Sequence, residues 1–175
     1  MKLVNFEPER DFDLLYDFFS DTENLSKISF PILIRNKQEF DAFLHNKLTT
    51  TWHDFKMMIH GDKPVGFFFT HNHSSNHCYV SLGVFNSCQS SGYGAMLAAL
   101  ALECIFMQYP YERVFQNVFG FNSASLNLHR KSGIVKEVGV LPRVRYYRGE
   151  YYDMSIFAVE RDEFFSSSIA SKFVR

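Results

Sequence analysis

The sequence predicts an α/β fold in which helices flank one mixed, mostly antiparallel sheet. Two observations lead to this prediction. Strand-like apolar segments alternate along the chain with segments whose apolar residues recur at helical spacing. The 175 residues also contain no internal repeat and no Pro- or Gly-rich linker, and a domain usually holds ~100–200 residues. We therefore expect a single domain over residues 1–165 and a short tail at 166–175.

The predicted helices are recognised by their apolar periodicity and by their ends. In the first, acidic residues crowd the start, as a helix N-terminus prefers, and apolar residues recur at helical spacing, namely Phe12, Leu14, Leu15, Phe18 and Phe19. The last has Asn122 at its N-cap and Gly133 just beyond its end. In chain order, the predicted helices are Asp11–Ser20, Lys37–Lys47, Tyr93–Gln108 and Asn122–Lys131.

The predicted strands occupy the segments between these helices. Gly61-Asp62-Lys63 is a turn signal that joins two strands into a hairpin, and Arg148-Gly149-Glu150 joins the last two strands. In chain order, the predicted strands are Lys2–Phe6, Asp54–His60, Val65–His71, His77–Phe85, Arg113–Phe119, Ile134–Tyr147 and Tyr151–Val159.

Composition and charge exclude several classes of protein. The 18 basic and 19 acidic side chains give a net charge of −1, whereas a nucleic-acid-binding domain usually has a strong basic excess. The three cysteines form no CxxC pair, which favours reduced thiols. The longest apolar stretch, Ala95–Met107, is shorter than the ~20 residues of a membrane span. We expect a cytoplasmic protein with no nucleic-acid or membrane partner and no signal peptide.

The segment Gln89–Gly94 is the strongest candidate for a ligand-binding loop. It lies between a predicted strand and a strongly apolar predicted helix. Glycines allow a ligand to approach the backbone closely, and a helix N-terminus presents N–H groups and a positive dipole end to an anion. Ser90 and Ser91 add hydroxyl donors. The alternative is a plain strand-to-helix turn, because short glycine motifs often occur by chance.

Two motifs resemble those of the GNAT superfamily of N-acetyltransferases. Gln89-x-x-Gly92-x-Gly94, after a strand and at the start of a helix, resembles the family's acetyl-CoA pyrophosphate loop. The segment Phe121–Ile134 resembles the second family signature, which starts with an Asn and has a Lys and a Gly near its end. The order and spacing of the predicted elements are also similar to those of the family. A third segment, Arg145–Asp153, resembles the ribosomal-protein and polyamine acetyltransferase branch.

The resemblance implies a GNAT fold with a splayed strand pair, and acetyl-CoA as the cosubstrate. It also implies an N-acetyltransferase in which a primary amine attacks the acetyl group directly in a ternary complex. The amine would belong to a small molecule, such as an amino sugar, a polyamine or an amino acid, or to a protein N-terminus. The alternative is a catalytically degenerate member of the fold that binds an acyl-CoA or a protein. Whether the chain forms a homodimer is left open.

The family motifs also imply which residues bind the cosubstrate. Backbone groups of Val84 and Phe85 would pair with the pantetheine amides. Asn122 and Ser125 would bind the cofactor arm, although an N-cap alone would also explain Asn122. The residues expected to hold the pyrophosphate are Gln89, Ser90, Ser91, Gly92, Tyr93, Gly94 and Ala95.

The groups that would move protons depart from the family pattern. His129 stands where the family usually has a tyrosine that protonates the leaving thiolate. Histidine could do this because its pKa is near neutrality, and the alternative is an exposed helix residue. Tyr146 is a second candidate proton donor, beside three other tyrosines of the last two strands. The segment between Asp62 and Glu103 contains no carboxylate that could act as the base.

The histidines of the second hairpin are the remaining candidates for the base. His71, His73 or His77, or a chain of water molecules, could take the amine proton, or no dedicated base exists. Their spacing also suggests a metal site, but no acid or cysteine completes a ligand set, and we expect no metal. The 20 phenylalanines are expected mainly in the core, and Trp52 is expected to shape the acceptor pocket.

Overall fold

The computed structural model describes residues 1–28, 34–89 and 91–169. Ser90 and residues 170–175 of the predicted tail therefore lie outside the described residues. The strands are β1 (Lys2–Asn5), β2 (His53–His60), β3 (Lys63–His71), β4 (His77–Val84), β5 (Arg113–Phe119), β6 (Lys136–Tyr147) and β7 (Glu150–Glu160). The helices are α1 (Pro8–Ser20), α2 (Thr22–Lys27), α3 (Lys37–Thr50), α4 (Tyr93–Gln108), α5 (Ser123–Lys131) and α6 (Arg161–Ser166).

The strands form one seven-stranded sheet in the order β1-β2-β3-β4-β5-β7-β6. The β1–β2, β2–β3, β5–β7 and β6–β7 pairs are antiparallel. The β4–β5 pair is parallel and aligns His77, Cys78 and Tyr79 with Arg113, Val114 and Phe115, respectively. The predicted α/β fold with a mostly antiparallel mixed sheet is confirmed.

The chain divides into two compact units, and strand β4 contributes to both. The first unit contains Met1–His73 and Val80–Ala101, and the second contains Ser74–Tyr79 and Leu102–Arg175. The first therefore holds the β2–β3 hairpin, the end of β4 and the start of α4. The second holds β5, α5 and the β6–β7 hairpin.

An aromatic core fills the first unit. Phe67 lies at its centre, 2% exposed, with ring centroids 5.0 Å from Phe18, 5.5 Å from Phe19 and 5.6 Å from Phe55. Burial of such rings is the main favourable term in folding. The expected use of phenylalanine for packing is confirmed. The buried members of the cluster are Leu15, Phe19, Phe40, Leu44, Trp52, Phe55, Met57, Ile59, Phe67, Phe69 and Phe85.

Two glycines of the first unit occupy positions where a side chain would not fit. A Cβ on Gly66 would lie 2.5 Å from the carbonyl oxygen of Gly83. A Cβ on Gly83 would lie 2.8 Å from the rings of Phe18 and Phe67. The last residues of β4 therefore pass close to the aromatic core without a side chain at Gly83.

The second unit has a smaller core of its own. Val118 on β5, Leu126 on α5 and Phe157 on β7 are buried together, and Val135 packs against them. Arg143 interrupts the β6–β7 ladder with a φ of 54°, and its N–H donates to Asp153 Oδ1 at 2.8 Å.

Two short helices were missing from the sequence prediction. α2 and α6 have six residues each, which is too short for apolar periodicity to identify them. α2 nevertheless has a local signal, since the Asp21 side chain accepts the N–H groups of Glu23 and Asn24. Within the described residues, no helix is long and apolar enough to cross a membrane.

Candidate functional site

The loop between β4 and α4 is held in place by the side chain of Gln89. Its Nε2 donates to the carbonyl oxygen of Val84 at 3.3 Å and to Asn86 Oδ1 at 3.0 Å. Residues 86–88, which precede Gln89, form a 3₁₀ turn. The side chain of Gln89 thus folds the loop back onto the end of β4, which the sequence did not indicate; it predicted only that Gln89 holds the pyrophosphate.

Asn86 connects this loop to α2. Its Oδ1 accepts from Asn24 Nδ2 at 3.0 Å, and its Nδ2 donates to Asp21 Oδ2 at 3.2 Å. Asn24 is 4% exposed, so its amide must find partners inside the protein. The N–H of Asn24, with smaller contributions from the N–H of Glu23 and the side chain of Asn86, holds the pKa of Asp21 below its ordinary value. We call Asp21, Asn24, Asn86 and Gln89 the loop latch; the sequence analysis did not identify its members at 21, 24 and 86.

The loop ends at the N-terminus of α4. Gly92 has a φ of 78°, a conformation that favours glycine, and open space surrounds the position of a Cβ. The N–H groups of the first helical turn have no acceptor within a helix, so those of Tyr93, Gly94 and Ala95 are available to an anion. The Tyr93 hydroxyl lies 2.6 Å from His60 Nδ1, which directs its side chain toward β2.

The backbone at the end of β4 distinguishes Val84 from Phe85. The Phe85 N–H donates to the Val65 carbonyl at 3.1 Å, and its carbonyl accepts from the Cys88 N–H at 2.8 Å. A cofactor amide that bound to Phe85 would have to share or displace one of these bonds. Backbone groups of successive strand residues point to opposite edges, so the Val84 N–H points away from β3.

The three histidines of the second hairpin have different surroundings. His71 Nε2 lies 3.1 Å from Ser81 Oγ, and His73 Nε2 lies 2.8 Å from Thr70 Oγ1. His77 Nδ1 lies 2.9 Å from Ser74 Oγ. In the part of the chain that the structure describes, no group of three or more His, Cys, Asp or Glu side chains is arranged to hold a metal ion.

Trp52, which was expected to shape an acceptor pocket, belongs to the aromatic core of the first unit. It is 3% exposed and stacks on Phe69 with ring centroids 4.0 Å apart. A direct contact between Trp52 and a substrate would therefore need the core to open, and its role in substrate binding stays a prediction.

In the second unit, Asn122 caps α5. Its Oδ1 accepts from the Ser125 N–H at 3.4 Å, so the predicted N-cap is confirmed. This bond occupies the acceptor end of the amide and leaves the NH₂ end as a donor. Ser125 lies one turn into the helix, and its Oγ is 3.5 Å from His129 Nδ1.

His129 is buried in the second unit. It is 6% exposed, so the alternative of an exposed helix residue is wrong. Its Nδ1 lies 2.7 Å from the Ser125 carbonyl oxygen, which only an N–H can approach, and its Nε2 lies 2.6 Å from Gln116 Oε1. Burial lowers the pKa of His129, and the bond to Ser125 opposes this only in part. The ring is therefore neutral near pH 7 with its one proton on Nδ1, and Nε2 bonds to Gln116 by accepting from the NH₂ group of that amide.

The burial of His129 predicts how stability depends on pH. Because its pKa lies below the ordinary value of about 6.5 in the folded protein, the unfolded chain binds more protons just below that pH. The contribution to stability is complete above about pH 6.5 and is lost as the pH falls, by at most about 1.4 kcal/mol per pH unit for one proton. Urea unfolding at pH 5 to 8 measures it.

The matched variants for this measurement are His129→Gln and His45→Gln. His45 is exposed on α3, so its replacement should leave the slope of unfolding free energy against pH unchanged. His129→Gln should reduce the slope below pH 6.5. An unchanged slope in His129→Gln would show that His129 is protonated as easily in the folded protein as in the unfolded chain.

The tyrosines of the β6–β7 hairpin differ in exposure. Tyr146, the second predicted proton donor, is 62% exposed, and its ring lies 5.1 Å from that of Tyr151. Tyr147 stacks on Phe121 at 4.3 Å. The Tyr152 hydroxyl donates to Glu150 Oε2 at 3.1 Å, which raises the pKa of Tyr152. Of these side chains, Tyr146 has the most accessible hydroxyl-bearing ring.

A family model described as an acetyltransferase (GNAT) domain matches residues 1–135. The chain is 34% identical over 83 residues to the SPbeta prophage-derived uncharacterized N-acetyltransferase YokL of Bacillus subtilis (strain 168), which covers 47% of this chain and 46% of that protein. The alignment thus spans about half the length of that relative.

Two solved structures show the same fold. The spermidine N-acetyltransferase of Vibrio cholerae, in complex with CoA and spermine, superposes with a TM-score of 0.82 at 14% identity, over 94% of this chain and 98% of that one. The ribosomal-protein-alanine N-acetyltransferase of Brucella melitensis superposes with a TM-score of 0.73 at 19% identity, over 91% of this chain and 99% of that one.

Proposed function

Because the chain belongs to the GNAT acetyltransferase family, we propose that it is an N-acetyltransferase that transfers the acetyl group of acetyl-CoA to a primary amine. The observation that carries this proposal is the β4–α4 loop, in which the loop latch and Gly92 present the first turn of α4 to an anion. Two proteins of the same fold are named for acetylation of spermidine and of a ribosomal-protein alanine, and these names support an amine acceptor.

The residues present fit the diphosphate of acetyl-CoA. We propose that the N–H groups of Gly92, Tyr93, Gly94 and Ala95 bind its oxygens, since an α-helix of 16 residues places a partial positive charge there. Ser91 adds a hydroxyl, whose present partner is the Gln89 carbonyl at 3.4 Å. Ser90 is kept as a proposed contact from the sequence alone.

Val84 is the proposed partner of the pantetheine amides. Its N–H points away from β3, whereas the backbone groups of Phe85 are used by Val65 and Cys88. Asn122 and Ser125 are proposed, from the family motif, to bind the cofactor arm through the amide NH₂ and the hydroxyl. Acetyl-CoA supplies an activated thioester, and the protein positions the amine against it, which favours attack by proximity.

Two side chains are proposed to deliver a proton to the leaving thiolate. His129 is neutral and has both nitrogens engaged, so donation from it requires one of these bonds to break. Tyr146 presents its hydroxyl at the surface of the β6–β7 hairpin. Tyr146→Phe and His129→Gln distinguish the two candidates. Only the variant that removes the true donor should have a lower kcat with an unchanged KM for acetyl-CoA.

Thiol release tests the proposed function. Full-length protein, acetyl-CoA and a panel of amines are combined, and free CoA is measured. The panel contains spermidine, glucosamine, an amino acid and a peptide with an N-terminal alanine. We expect release with at least one amine at a rate that is proportional to protein concentration. Binding of acetyl-CoA without release on any amine would support the degenerate alternative and contradict the proposal.

A further inference from the structure

We propose that His71 and Ser81 form a dyad that takes the proton from the substrate ammonium group. Their role rests on the proposed acetyl transfer. An amine near neutral pH is mostly protonated, since a primary alkylamine has a pKa near 10, and it has no lone pair for attack until a proton leaves. The chain offers no carboxylate between Asp62 and Glu103 for this step.

The dyad joins neighbouring strands of the first unit. His71 ends β3, Ser81 lies within β4, and His71 Nε2 is 3.1 Å from Ser81 Oγ. The Asn72 side chain is a second partner of the His71 ring and favours its protonated form. In the neutral ring the single N–H goes to Asn72, and Nε2 accepts the Ser81 hydroxyl. The lone pair that would receive a proton is thus aimed at Ser81.

The position of the dyad suits an acetyl acceptor. Side chains alternate along a strand, so Ser81 shares a face of β4 with Gly83 and Phe85. On that face Gly83 has no side chain, so Ser81 is the polar side chain nearest to the end of β4. Ser81 lies three positions before Val84, or about 10 Å along the strand. A thioester whose arm follows β4 back from Val84 would bring its reactive carbon toward Ser81.

The surroundings favour a base that is neutral at pH 7. Phe69 packs on the His71 ring with centroids 5.9 Å apart. Burial is the main factor that lowers the pKa of His71, and the nearby Lys47 on α3 and His73 on the same hairpin lower it further. A neutral imidazole in apolar surroundings can accept a proton from a substrate ammonium group that binds next to it.

The other two histidines of the hairpin lack this arrangement. His73 contacts Thr70, whose single hydroxyl proton has two acceptors within reach, the His53 carbonyl and the Asp54 carboxylate. The His73 ring lies 4.5 Å from the His53 ring, so positive charges on both rings would repel each other. His77 contacts loop side chains of the second unit. Of these three, His71 is the histidine whose ring contacts a hydroxyl within β4, that of Ser81.

The proton transfer balances as follows. The ammonium gives one proton to Ser81 Oγ while the Ser81 hydroxyl proton moves to His71 Nε2, so the amine becomes neutral. The nitrogen then forms the N–C bond, and the C–S bond breaks with its electron pair on sulfur. The donor proposed above, Tyr146 or His129, gives its proton to the thiolate, and the second proton that the nitrogen loses replaces it on that donor. One proton is released overall, from His71 to solvent.

The pH dependence of acetyl transfer tests the dyad. The rate is measured from pH 5 to 9 with the most active amine of the panel, at saturating acetyl-CoA. In the natural protein, kcat/KM for the amine should level off above the pKa of His71, because the dyad deprotonates the bound ammonium. In His71→Gln it should drop about 100-fold at pH 7 and rise tenfold per pH unit up to the pKa of the amine, because only the neutral amine then reacts.

Matched variants distinguish a proton-transfer role from a structural one. Ser81→Ala should resemble His71→Gln, and Ser81→Thr should restore the plateau because it keeps the hydroxyl. His45→Gln should keep the natural profile, and His73→Gln should keep a plateau. Binding of acetyl-CoA, measured by calorimetry, should be the same in all of them. In the ligand-free protein, imidazole NMR signals should show that the His71 proton is on the nitrogen other than Nε2.

Each outcome separates this proposal from the proposed function. If the protein acetylates an amine and His71→Gln keeps the plateau, the dyad is wrong and the acetyltransferase stands. If His71→Gln is too unstable to assay, the dyad is tested by Ser81→Ala and by the NMR tautomer of His71. A plateau kept in Ser81→Ala, or a His71 proton on Nε2, would contradict it. If the natural protein turns over no amine, the proposed function fails and the dyad fails with it.

Discussion

Gly92→Glu is expected to weaken binding of acetyl-CoA at least 100-fold. Gly92 has a φ of 78°, where an L side chain costs about 1–2 kcal/mol. The added carboxylate also lies where the diphosphate is proposed to bind, and two like charges 4 Å apart repel by about 4 kcal/mol at an effective dielectric constant of 20. Titration calorimetry with acetyl-CoA measures the loss directly.

Gly61→Glu is the matched control for this variant. Gly61 has a φ of 62° and open space around a Cβ position, as Gly92 does, but lies in the β2–β3 turn. Both variants carry a similar backbone strain and the same added charge, so they should lose similar stability. Only Gly92→Glu should lose acetyl-CoA. Equal affinities in the two variants would contradict the placement of the diphosphate at α4.

Phe67→Ala is expected to lower the free energy of unfolding by about 4 kcal/mol. The ring is 2% exposed and contacts Phe18, Phe19 and Phe55. Removal of a buried phenylalanine ring costs about 3–5 kcal/mol, because apolar burial is lost and a cavity remains. Since typical domains have only about 5–15 kcal/mol of stability, the variant should unfold at a much lower urea concentration.

Phe165→Ala is the corresponding control. Phe165 on α6 is 38% exposed, so its removal should cost about 1 kcal/mol or less. If the two variants lost equal stability, Phe67 would not be the centre of a tightly packed core. Circular dichroism during urea unfolding provides both values, and the slope of each transition shows whether the mutant still unfolds in a single step.

The long elements were predictable because local pattern and tertiary packing agree in them. The helix at Tyr93–Gln108 and the strand at Arg113–Phe119 have the predicted bounds. The α1 helix begins at Pro8 rather than Asp11, because proline is tolerated in the first turn, where its missing N–H needs no partner. The α3 helix extends to Thr50 rather than Lys47. It ends in two threonines, so apolar periodicity could not show where the helix ends.

The site was predictable only where its chemistry is local. The glycine spacing around Gly92 and the cap at Asn122 are properties of short segments. The bond between Asn24 and Asn86 joins residues 62 positions apart, and no local pattern indicates it. Likewise, His129 is buried by its contact with Gln116 on another element, so its environment could not be inferred from the helix that carries it.

Asp21 gives the loop latch a consequence for local unfolding. One carboxylate accepts the N–H groups of Glu23 and Asn24 and also holds Asn86. Loss of the first turn of α2 would therefore release the β4–α4 loop, and displacement of the loop would weaken that turn. We expect the two segments to open together, so hydrogen exchange at the amides of Glu23 and Asn24 should report on the order of a loop more than 60 residues away in sequence.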